Sequence, residues 1–401
     1  MHIAFITTEF ITEKSFDGGL SNYLYRTCLS LQALGHKTSV IVSTDKNETI
    51  TKDGITVVRV KPARSWWFWL INVFTLFRLN PALLQIQRSA SVRKALLKYH
   101  KLTAIDIVQY SSTMSIAILQ PSKIPSVVRI SSYQRFIDEQ SGTPVNFRLK
   151  QKLYLNDLML KRSQNLFGPS KIIGEFISKS FQKKVILIES PFTMSTIELQ
   201  DSVVNQILDN TSGSPYLLYF GSLSKLKGLE DIAAILYRIL DENPNYHFVF
   251  VGKDIPINGA SVVDLLKEKA GKHSGRVQWF NGMPHASLYP VIKGAELVVL
   301  PSRIDNFPNT CIEAMAFGKV VVGTYQTSFE QLITNEVSGL LCNHSSPDEL
   351  FATVQKGINL TPEAKLEIGK AAMARIDTLK PELVIKQLAE YYQSVIKEFK
   401  G

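Results

Sequence analysis

Short apolar runs alternate with helical patterns along most of this 401-residue chain. The first run, HIAFITT, is followed by a glycine turn and by apolar residues at helical spacing from Leu20 to Leu34, and Gly35 is placed to end that helix. Later runs in the first half repeat the pattern; they are TSVIVST, ITVVRV, IDIVQY, SVVRIS and KVILIES. This alternation predicts a parallel β-sheet covered by helices.

A second alternating series begins after a polar stretch at residues 200–215, which we interpret as part of an interdomain linker. Its apolar runs are YLLYFG, HFVFVG, RVQWFNG, ELVVLPS and KVVVGT, and each unit is short enough to be one strand with one crossover. The sequence therefore predicts an α/β protein with two Rossmann-like domains, at residues 1–190 and 212–380, whose parallel sheets face an interdomain cleft. A final helix is predicted within residues 381–401. Because ligands of such sheets bind beyond the carboxyl ends of the strands, the loops at those ends are the candidate sites.

Composition and charge limit the class of protein. The length suggests two or three domains. With 45% hydrophobic and 20% charged residues, the chain is neither disordered nor collagenous. The formal net charge of +10 is unevenly distributed, because residues 1–200 hold 26 Lys and Arg against 13 Asp and Glu, whereas residues 201–401 hold 19 against 22. The first half is therefore expected to attract anions.

The cysteines and the first residues indicate a cellular compartment. Cys28, Cys311 and Cys342 are too few and too scattered for a disulfide framework or a zinc site, so we expect small buried side chains in a reducing compartment. The first ten residues lack the basic and long apolar regions of a signal peptide. We therefore expect a cytoplasmic protein.

Two glycine loops, each between a predicted strand and a predicted helix, are candidate binding sites. Gly18 and Gly19 precede a helix whose exposed amides suit an anion, although two glycines also suit a turn that needs positive φ. The loop GSLSKLKG begins at Gly221 and carries Lys225 and Lys227. A lysine at the start of a helix suits a diphosphate, although an isolated lysine is more often a solvated surface residue. Position alone leaves these alternatives open.

The segment LVVLPSRIDNFPNTCIEAMAFGKVVVGT is the most informative part of the chain. Its predicted strand ends at Leu300 or Pro301, Asp305 lies in the following loop, and Glu313 lies on a short helix that starts near Asn309. Both carboxylates can therefore address one ligand across the helix N-terminus, where backbone amides face a phosphate. Carboxylates accept hydrogen bonds from sugar hydroxyls. As bare spacing, however, two such acids are also typical of a solvated pair.

Taken in order, these loops resemble family 4 of the retaining glycosyltransferases. The shared order is a Gly-Gly helix opening, a Gly-x-Leu-x-x-x-Lys-Gly loop, and then an acid, seven residues and Glu-Ala-Met-Ala-x-Gly. The resemblance covers almost the whole chain and is strongest from Leu218 to Leu350. It implies the GT-B fold and the transfer of a sugar from a nucleotide-sugar donor, a UDP- or GDP-sugar. In that fold, residues 1–190 would be the acceptor-binding domain, with the final helix at 381–401 packing back on it, and residues 212–380 would be the donor-binding domain.

The resemblance also implies roles for individual residues. Lys227 would bind the diphosphate, Glu313 would accept hydrogen bonds from the ribose, and Asp305 would hold hydroxyls of the transferred sugar. These three are the predicted catalytic residues. The predicted donor-binding residues are Gly18, Gly19, Gly221, Ser222, Lys225, Asn306, Phe307, Pro308, Asn309, Gly282 and Met283. The last two belong to the segment FNGM, which is similar to the part of the family that lines the nucleotide base.

Some positions depart from the family pattern. Asp305 stands where the family usually has a glutamate. Ser222 stands where an arginine is common, and we hypothesise that Lys225 partly replaces its charge. Ser131 is the acceptor-side candidate and stands where many members have a histidine close to the reacting sugar. The histidine role is therefore not assigned.

The expected chemistry needs neither a metal nor a cofactor apart from the nucleotide-sugar as co-substrate. No Asp-x-Asp triplet occurs in the sequence, so we expect no divalent ion to hold the diphosphate. No metal site is predicted. At the level of the family, retention without an evident carboxylate nucleophile favours front-face transfer, in which the leaving phosphate oxygen takes the acceptor's proton.

A basic, aromatic stretch at residues 64–101 concerns the second substrate. It contains no acid, and its basic residues are Arg64, Arg78, Arg88, Arg93, Lys94, Lys98 and Lys101. This composition suits an anionic membrane surface, while the apolar part, SWWFWLINVFTLF, is shorter than the about 20 residues that span a bilayer. Alternatively, Trp66 to Phe77 pack inside the first domain. No recognised nucleic-acid-binding module accompanies the charge, so nucleic acid is not an expected partner.

The sequence therefore predicts a retaining, metal-independent glycosyltransferase of hexosyltransferase type. Its acceptor would be a glycan or a lipid-linked molecule, in the synthesis of a bacterial surface polysaccharide or glycolipid at the inner face of the cell membrane. Two alternatives remain open at this point. One is a nucleotide-sugar epimerase on the same fold, and the other is a non-catalytic sugar-binding protein, which Ser222 and Ser131 leave conceivable.

Overall fold

The computed structural model describes residues 1–13, 19–63, 66–141, 146–194 and 197–400 and divides the chain into two compact units. The first unit comprises Met1–Pro191 together with the carboxyl-terminal helix, and the second comprises Phe192–Lys380. Each unit has one sheet of mostly parallel strands with helices between the strands. The predicted α/β class with two Rossmann-like domains is confirmed.

The sheet of the first unit is built from eight strands within the described residues. They are β1 (His2–Thr7), β2 (Lys37–Ser43), β3 (Glu48–Lys52), β4 (Ile55–Val60), β5 (Ile107–Ser111), β6 (Ser126–Arg129), β7 (Asn165–Gly168) and β8 (Val185–Leu187). Their spatial order is β3-β4-β2-β1-β5-β6-β7-β8, and only β3 pairs antiparallel. The central strands are apolar on both faces because helices cover both, and β1 is buried along its whole length.

The helices of the first unit connect these strands. They are α1 (Gly19–Ala33), α2 (Trp66–Phe74), α3 (Asn80–Leu102), α4 (Gln134–Ser141), α5 (Phe147–Arg162) and α6 (Lys171–Phe181). The helix Pro381–Lys400 (α15 in chain order) also packs on this unit. Its buried residues Leu388 and Tyr392 join the apolar core beneath α1, and the Tyr392 hydroxyl donates a hydrogen bond to Gln109 on β5.

The second unit has a six-stranded parallel sheet among the described residues. Its strands are β9 (Tyr216–Phe220), β10 (His247–Val251), β11 (Val277–Phe280), β12 (Leu297–Val299), β13 (Val321–Thr324) and β14 (Leu340–Cys342). Its helices are α7 (Ser202–Thr211), α8 (Leu229–Glu242), α9 (Val262–Ala270), α10 (His285–Gly294), α11 (Asn309–Ala316), α12 (Phe329–Leu332), α13 (Pro347–Ile358) and α14 (Pro362–Asp377). The strand order, β11-β10-β9-β12-β13-β14, is that of a doubly wound sheet.

The structure differs from the sequence prediction in four short elements. The strands β3, β7 and β14 are not among the predicted apolar runs, because β3 is polar and the other two have four residues or fewer. The polar stretch at 200–215, predicted as part of a linker, contains helix α7. Val204 and Ile207 on this helix are buried in the core of the second unit, so a few apolar side chains at helical spacing outweigh the polar composition.

The aromatic helix α2 does not pack into a core. Its side chains are all at least partly exposed, and the Trp66, Trp67 and Trp69 side chains are about 60% exposed while Phe74 is 84% exposed. The alternative that Trp66 to Phe77 pack inside the first domain is therefore wrong. Among the described residues, we find no helix with the length and apolar content to cross a bilayer. Arg64 lies outside the described residues.

All three cysteines are free and buried, as the sequence predicts. Burial raises the pKa of Cys342 to about 12 and also raises the pKa values of Cys28 and Cys311. Because the thiolate is the reactive form, we expect none of the three to react within minutes with a water-soluble thiol reagent in the folded chain. Titration with and without denaturant checks this expectation. A thiol that reacts at once in the native protein would contradict it.

Candidate active site

The carboxyl ends of β9 and β12 lie side by side, at the point where the strand order of the second sheet reverses. Ligands of doubly wound sheets bind at this switch point. The loop that begins at Gly221 follows β9, and the loop that carries Asp305 follows β12. The fold therefore brings two of the predicted loops to one edge of one sheet.

A glycine allows the first of these loops to lie against the second. Gly228 has a φ of +74°, and a Cβ atom built on it would lie 2.0 Å from the carbonyl oxygen of Pro301. The backbone N–H of Arg303 also donates to the carbonyl of Leu226 at 2.9 Å. This close contact holds the turn with Lys227 beside the loop with Asp305, and only glycine fits at position 228 without a backbone shift.

Lys227 and Asp305 form an ion pair in which Nζ lies 2.5 Å from Oδ2. The lysine side chain is 31% exposed and the aspartate side chain is 12% exposed. The other carboxylate oxygen of Asp305 accepts from the backbone N–H of Asn306 at 3.0 Å, and its carbonyl accepts from the Ser328 hydroxyl at 3.0 Å. These hydrogen bonds orient the carboxylate, while the lysine remains accessible to an anion.

The N-terminus of α11 adjoins the same place. Phe307 and Pro308 are buried and Asn309, the first helical residue, is exposed. No side chain caps this end, and no acid lies in its first turn. A Cβ atom built on Gly221 would lie 3.4 Å from the Cγ2 atom of Thr310, so the loop after β9 packs against the start of this helix. Unpaired helix amides beside a lysine suit a phosphate group.

One turn further along α11, the side chain of Glu313 lies 3.2 Å from Nε2 of His285. Glu313 is 12% exposed, and the His285 ring stacks on Tyr289 with centroids 5.0 Å apart. His285 begins α10, two residues after Met283, which with Gly282 is a predicted base-lining residue. Gly282 is exposed and Met283 is half-buried. The structure therefore brings Glu313 next to the segment FNGM. The sequence did not single out His285, although its place after that segment was a signal.

The predicted residues Ser222 and Lys225 lie in the loop after β9. The Tyr219 hydroxyl donates to the carbonyl of Ser222 at 2.7 Å, and burial together with the nearby Asp305 carboxylate raises the pKa of Tyr219. Lys225 is exposed and lies 3.7 Å from Glu230, which also pairs with Arg303 at 2.8 Å. That Lys225 partly replaces a missing arginine remains a prediction.

Gly252, which the sequence analysis did not identify, packs against the start of the loop after β9. Gly252, at the end of β10, has a φ of +152°, and a Cβ atom on it would lie 1.8 Å from the Gly221 carbonyl oxygen. Its own carbonyl accepts from the Trp279 indole at 2.9 Å. The dipeptide Val-Gly after a predicted strand was the available signal. This glycine is required only because β9 and β10 are neighbours in the sheet, which brings Gly252 against the Gly221 carbonyl.

The remaining predicted residues belong to the first unit. Gly19 is exposed and begins α1, and Gly18 lies outside the described residues. The Ser131 hydroxyl accepts from Arg129 at 2.9 Å, and Arg129 is buried beneath the ring of Tyr23. Burial lowers the pKa of Arg129. Across the described part of the chain, no group of three or more His, Cys, Asp or Glu side chains is arranged to hold a metal ion.

Comparison with known proteins extends these observations. Residues 204–375, less than half of the chain, match the family model described as glycosyl transferases group 1. D-inositol 3-phosphate glycosyltransferase of Segniliparus rotundus is 24% identical over 45% of this chain and 40% of its own length. GDP-mannose:cellobiosyl-diphosphopolyprenol alpha-mannosyltransferase of Xanthomonas campestris is 25% identical over 35% of this chain and 36% of its own length. The matches thus span well under half of these curated relatives.

Solved structures match over nearly the whole chain. Sucrose-phosphate synthase of Thermosynechococcus elongatus has a TM-score of 0.74 at 18% identity and covers 99% of both chains. HepE of Anabaena, solved with UDP-glucose, has a TM-score of 0.69 at 14% identity and covers 98% of this chain and 100% of its own. The whole chain therefore has the GT-B fold of these structures, and the match to glycosyl transferases group 1 lies within its second unit.

Proposed function

We propose that this chain is a retaining glycosyltransferase that moves a sugar from a nucleotide-diphosphate sugar to a glycan or lipid-linked acceptor. One observation carries the proposal: Lys227 contacts Asp305 beside the N-terminus of α11, at the switch point of the second sheet. A cation, unpaired amides and a carboxylate are the groups that a diphosphate and a sugar hydroxyl require. The match to glycosyl transferases group 1 supports the same activity.

In the proposed reaction, Lys227 and the amides of α11 stabilise the charge that develops on the leaving diphosphate. In the absence of donor, Asp305 neutralises the lysine. When the diphosphate binds, the lysine ammonium interacts with phosphate oxygens, and the carboxylate of Asp305 becomes available to accept from hydroxyls of the donor sugar. The positive charge therefore comes from the chain itself, and we propose that no divalent ion is needed.

Sugar transfer is proposed to occur on one face of the donor. The bond between the sugar C1 and the phosphate oxygen breaks, and a bond between the acceptor oxygen and C1 forms on the same side. The acceptor's proton passes to the leaving phosphate oxygen. This route gives retention of configuration without a covalent sugar–enzyme intermediate. A sugar adduct isolated on the chain would contradict it.

The names of related proteins support a nucleotide-sugar donor. HepE has been solved with UDP-glucose, and one curated relative is named for GDP-mannose. The named acceptors are a phosphorylated inositol and a diphosphopolyprenol-linked glycan. These names agree with a UDP- or GDP-sugar donor and with a role in surface glycan or glycolipid synthesis, both of which we propose for this chain.

The proposed activity is tested by a screen of nucleotide sugars. UDP-, GDP-, ADP- and CMP-sugars are compared by thermal shift, and nucleotide release is then measured with and without a crude acceptor fraction, in the presence and absence of EDTA. We expect acceptor-dependent release that EDTA leaves unchanged. A change of the donor sugar without acceptor would indicate an epimerase instead, and binding without turnover would indicate a non-catalytic protein.

Replacement of Glu313 by glutamine is expected to weaken binding of the nucleotide by about tenfold to a hundredfold. The reason is the loss of a charge-assisted hydrogen bond to the ribose, which contributes about 1.5 to 3 kcal/mol. The measurement is a calorimetric titration with UDP or GDP, whichever the screen selects. Glu367→Gln is the matched control, because Glu367 is an exposed carboxylate in the same unit that pairs with Lys370. Equal nucleotide affinities for the wild type, Glu313→Gln and Glu367→Gln would show that Glu313 does not bind the nucleotide.

We also propose that α2 and the basic residues that follow it contact an anionic membrane surface. The exposed aromatic side chains of α2 and the acid-free, basic sequence from Arg78 to Lys101 complement such a surface. The contact would position the acceptor domain at the inner face of the cell membrane.

Binding to anionic vesicles is expected to weaken when salt is raised, because the attraction between the basic residues and the lipids is screened. Vesicle sedimentation at low and high salt measures this. Replacing Trp67 and Trp69 with serine is expected to weaken binding at both salt concentrations, since apolar contact is lost. Absence of binding to anionic vesicles at low salt would end the proposal.

A further inference from the structure

Arg303 lies in the loop between β12 and α11, and its side chain reaches the first turn of α8. The guanidinium donates two hydrogen bonds to Asp231, from Nη2 to Oδ1 at 2.8 Å and from Nε to Oδ2 at 3.1 Å, and a third from Nη1 to Glu230 at 2.8 Å. The Asp231 side chain is 7% exposed and that of Arg303 is 21% exposed. Because the planar fork of a guanidinium matches a carboxylate in one geometry, Asp231 fixes the direction in which the third donor points.

The lysine turn, Lys225–Lys227, is held by the backbone of Arg303 and not by its side chain. The Arg303 N–H donates to the carbonyl of Leu226 in this turn at 2.9 Å. Gly228, which follows the turn, lies against the carbonyl of Pro301. Both contacts are between main-chain atoms, so a substitution of the Arg303 side chain leaves them in place. The guanidinium therefore has a role other than holding the turn.

One carboxylate oxygen of Glu230 lies between two cations. Its Oε2 atom is 2.8 Å from Nη1 of Arg303 and 3.7 Å from Nζ of Lys225. Only the shorter contact is a hydrogen bond, since bonds of this kind are about 2.7 to 3.2 Å long. Within the described residues, Lys225 makes no other ion pair, and its side chain is 54% exposed. Arg303 thus occupies the carboxylate that is nearest to Lys225.

We propose that Arg303 is a positioning residue that keeps Lys225 available to the diphosphate of the donor by occupying the Glu230 carboxylate. The inference rests on the proposed function, because the donor is the nucleotide sugar of that reaction. Without the guanidinium, Glu230 is released and closes on Lys225, and the donor must break this ion pair before the lysine binds phosphate oxygens. With the guanidinium in place, the lysine turn offers a second positive charge to the diphosphate.

The test measures how much the second phosphate adds to binding. The full chain is titrated calorimetrically with a nucleoside diphosphate and with the matching monophosphate, UDP with UMP or GDP with GMP, whichever base the donor screen selects. The ratio of the two affinities reports the contacts that the diphosphate makes, whereas a general loss of structure weakens both nucleotides alike. We expect the wild type to bind the diphosphate more tightly.

Arg303→Met keeps a long side chain and removes the charged fork. It is expected to weaken the diphosphate about threefold to fivefold, the strength of an exposed ion pair that must first be broken. The monophosphate is expected to change by less than about twofold, because it does not need the second charge. The ratio of the two affinities therefore falls in this variant.

Glu230→Gln distinguishes occupation of the carboxylate from support of the fold. The amide oxygen of glutamine still accepts from Arg303 but has no charge with which to neutralise Lys225. In the wild-type background, the substitution is expected to strengthen diphosphate binding by less than about twofold, because the contact with Lys225 is long. In the Arg303→Met background, it is expected to restore the affinity to within about twofold of the wild type. A residue that only supports the fold is not rescued by removal of a second interaction.

Arg303→Lys is the second variant, for the case that Arg303→Met does not fold. It keeps the net charge of the chain and gives the buried Asp231 carboxylate a partner, but an ammonium group has no planar fork to hold both acids. The same loss of diphosphate affinity and the same restoration by Glu230→Gln are expected. Either background therefore decides the inference.

A matched control lies further along α8. Arg238 pairs with Glu242 at 3.1 Å, and its guanidinium lies 3.6 Å from the centroid of the Phe351 ring. Arg238→Met removes an arginine and its contacts from the same helix, away from the lysine turn. Both titrations are expected to match the wild type.

Two results would overturn the inference. One is a ratio of diphosphate to monophosphate affinity that stays at the wild-type value in the Arg303 variants, whether both affinities fall together or neither changes. The other is a lowered ratio that Glu230→Gln does not restore, because the released carboxylate would then not be the cause.

The inference and the proposed function can fail independently. If the titrations give the expected results but no nucleotide is released from the donor in the presence of acceptor, the glycosyl transfer is wrong and the role of Arg303 at the diphosphate remains. If acceptor-dependent release is observed and the ratio does not respond to Arg303 or Glu230, the activity stands and the inference is wrong.

Discussion

Replacement of Lys227 by alanine is expected to lower kcat/KM for sugar transfer by about a hundredfold, the typical cost of removing one preorganised donor to a developing negative charge. Lys227 is held 2.5 Å from Asp305 by a loop that Gly228 presses against Pro301, so its ammonium group is positioned before the donor binds. No other described lysine makes an ion pair with Asp305. The measurement is the rate of nucleotide release with donor and acceptor under subsaturating conditions.

Two further variants test whether the lysine acts on the ligand and not merely on the fold. Lys370→Ala is the control, because Lys370 is an exposed lysine of the second unit that pairs with Glu367, and its rate is expected to match the wild type. Lys227→Ala combined with Asp305→Ala is expected to lose less than the product of the single losses, since the two side chains contact each other. Transfer by Lys227→Ala at close to the wild-type rate would refute the assignment.

Replacement of Gly228 by alanine is expected to lower both stability and transfer. A Cβ atom at this position would lie 2.0 Å from the carbonyl oxygen of Pro301, and the φ of +74° is unfavourable for alanine. Because the obstacle is backbone, the loop must shift. We expect the free energy of unfolding to fall by about 3 kcal/mol, from the combined strain and displacement. We also expect transfer to fall because Lys227 moves away from Asp305.

Gly259→Ala separates the strain of a positive φ from the contact with the Pro301 backbone. Gly259 has a similar φ of +85°, but a Cβ atom there would meet nothing within 4 Å. It is therefore expected to cost only about 1 kcal/mol, the cost of a left-handed conformation for a residue with a side chain. Denaturant unfolding of both variants measures the difference. Equal losses would mean that the contact with Pro301 is not what requires glycine at position 228.

The sequence was informative wherever the signal was local. Each apolar run that was identified as a strand is a strand. The central strands β1 and β9 are buried on both faces, and such strands must be apolar along their length. It failed for β3, which is polar, and for α7, where two buried side chains decide the structure of a polar stretch. The aromatic stretch at Trp66 to Phe77 was undecided, because apolar composition alone does not distinguish a buried helix from an exposed one.

In the candidate site, too, local features could be predicted from the sequence and contacts between distant residues could not. The order of its loops and the types of their residues could be recognised along the chain, and so could Lys227, Asp305 and Glu313. The importance of Gly252 and His285 could not be recognised in this way, because each acts through a residue distant in the sequence. Gly252 packs against the Gly221 carbonyl, and His285 contacts the Glu313 carboxylate.

By itself, then, the amino-acid order determined two helix-covered sheets and the succession of chemically distinctive loops, since hydrophobic periodicity and glycine placement act over a few residues. Tertiary structure alone decided which loops meet. Lys227 and Asp305 are 78 residues apart in the chain and touch because β12 pairs with β9. Strand neighbours are chosen by the packing of the whole sheet, and no short stretch of sequence contains that choice.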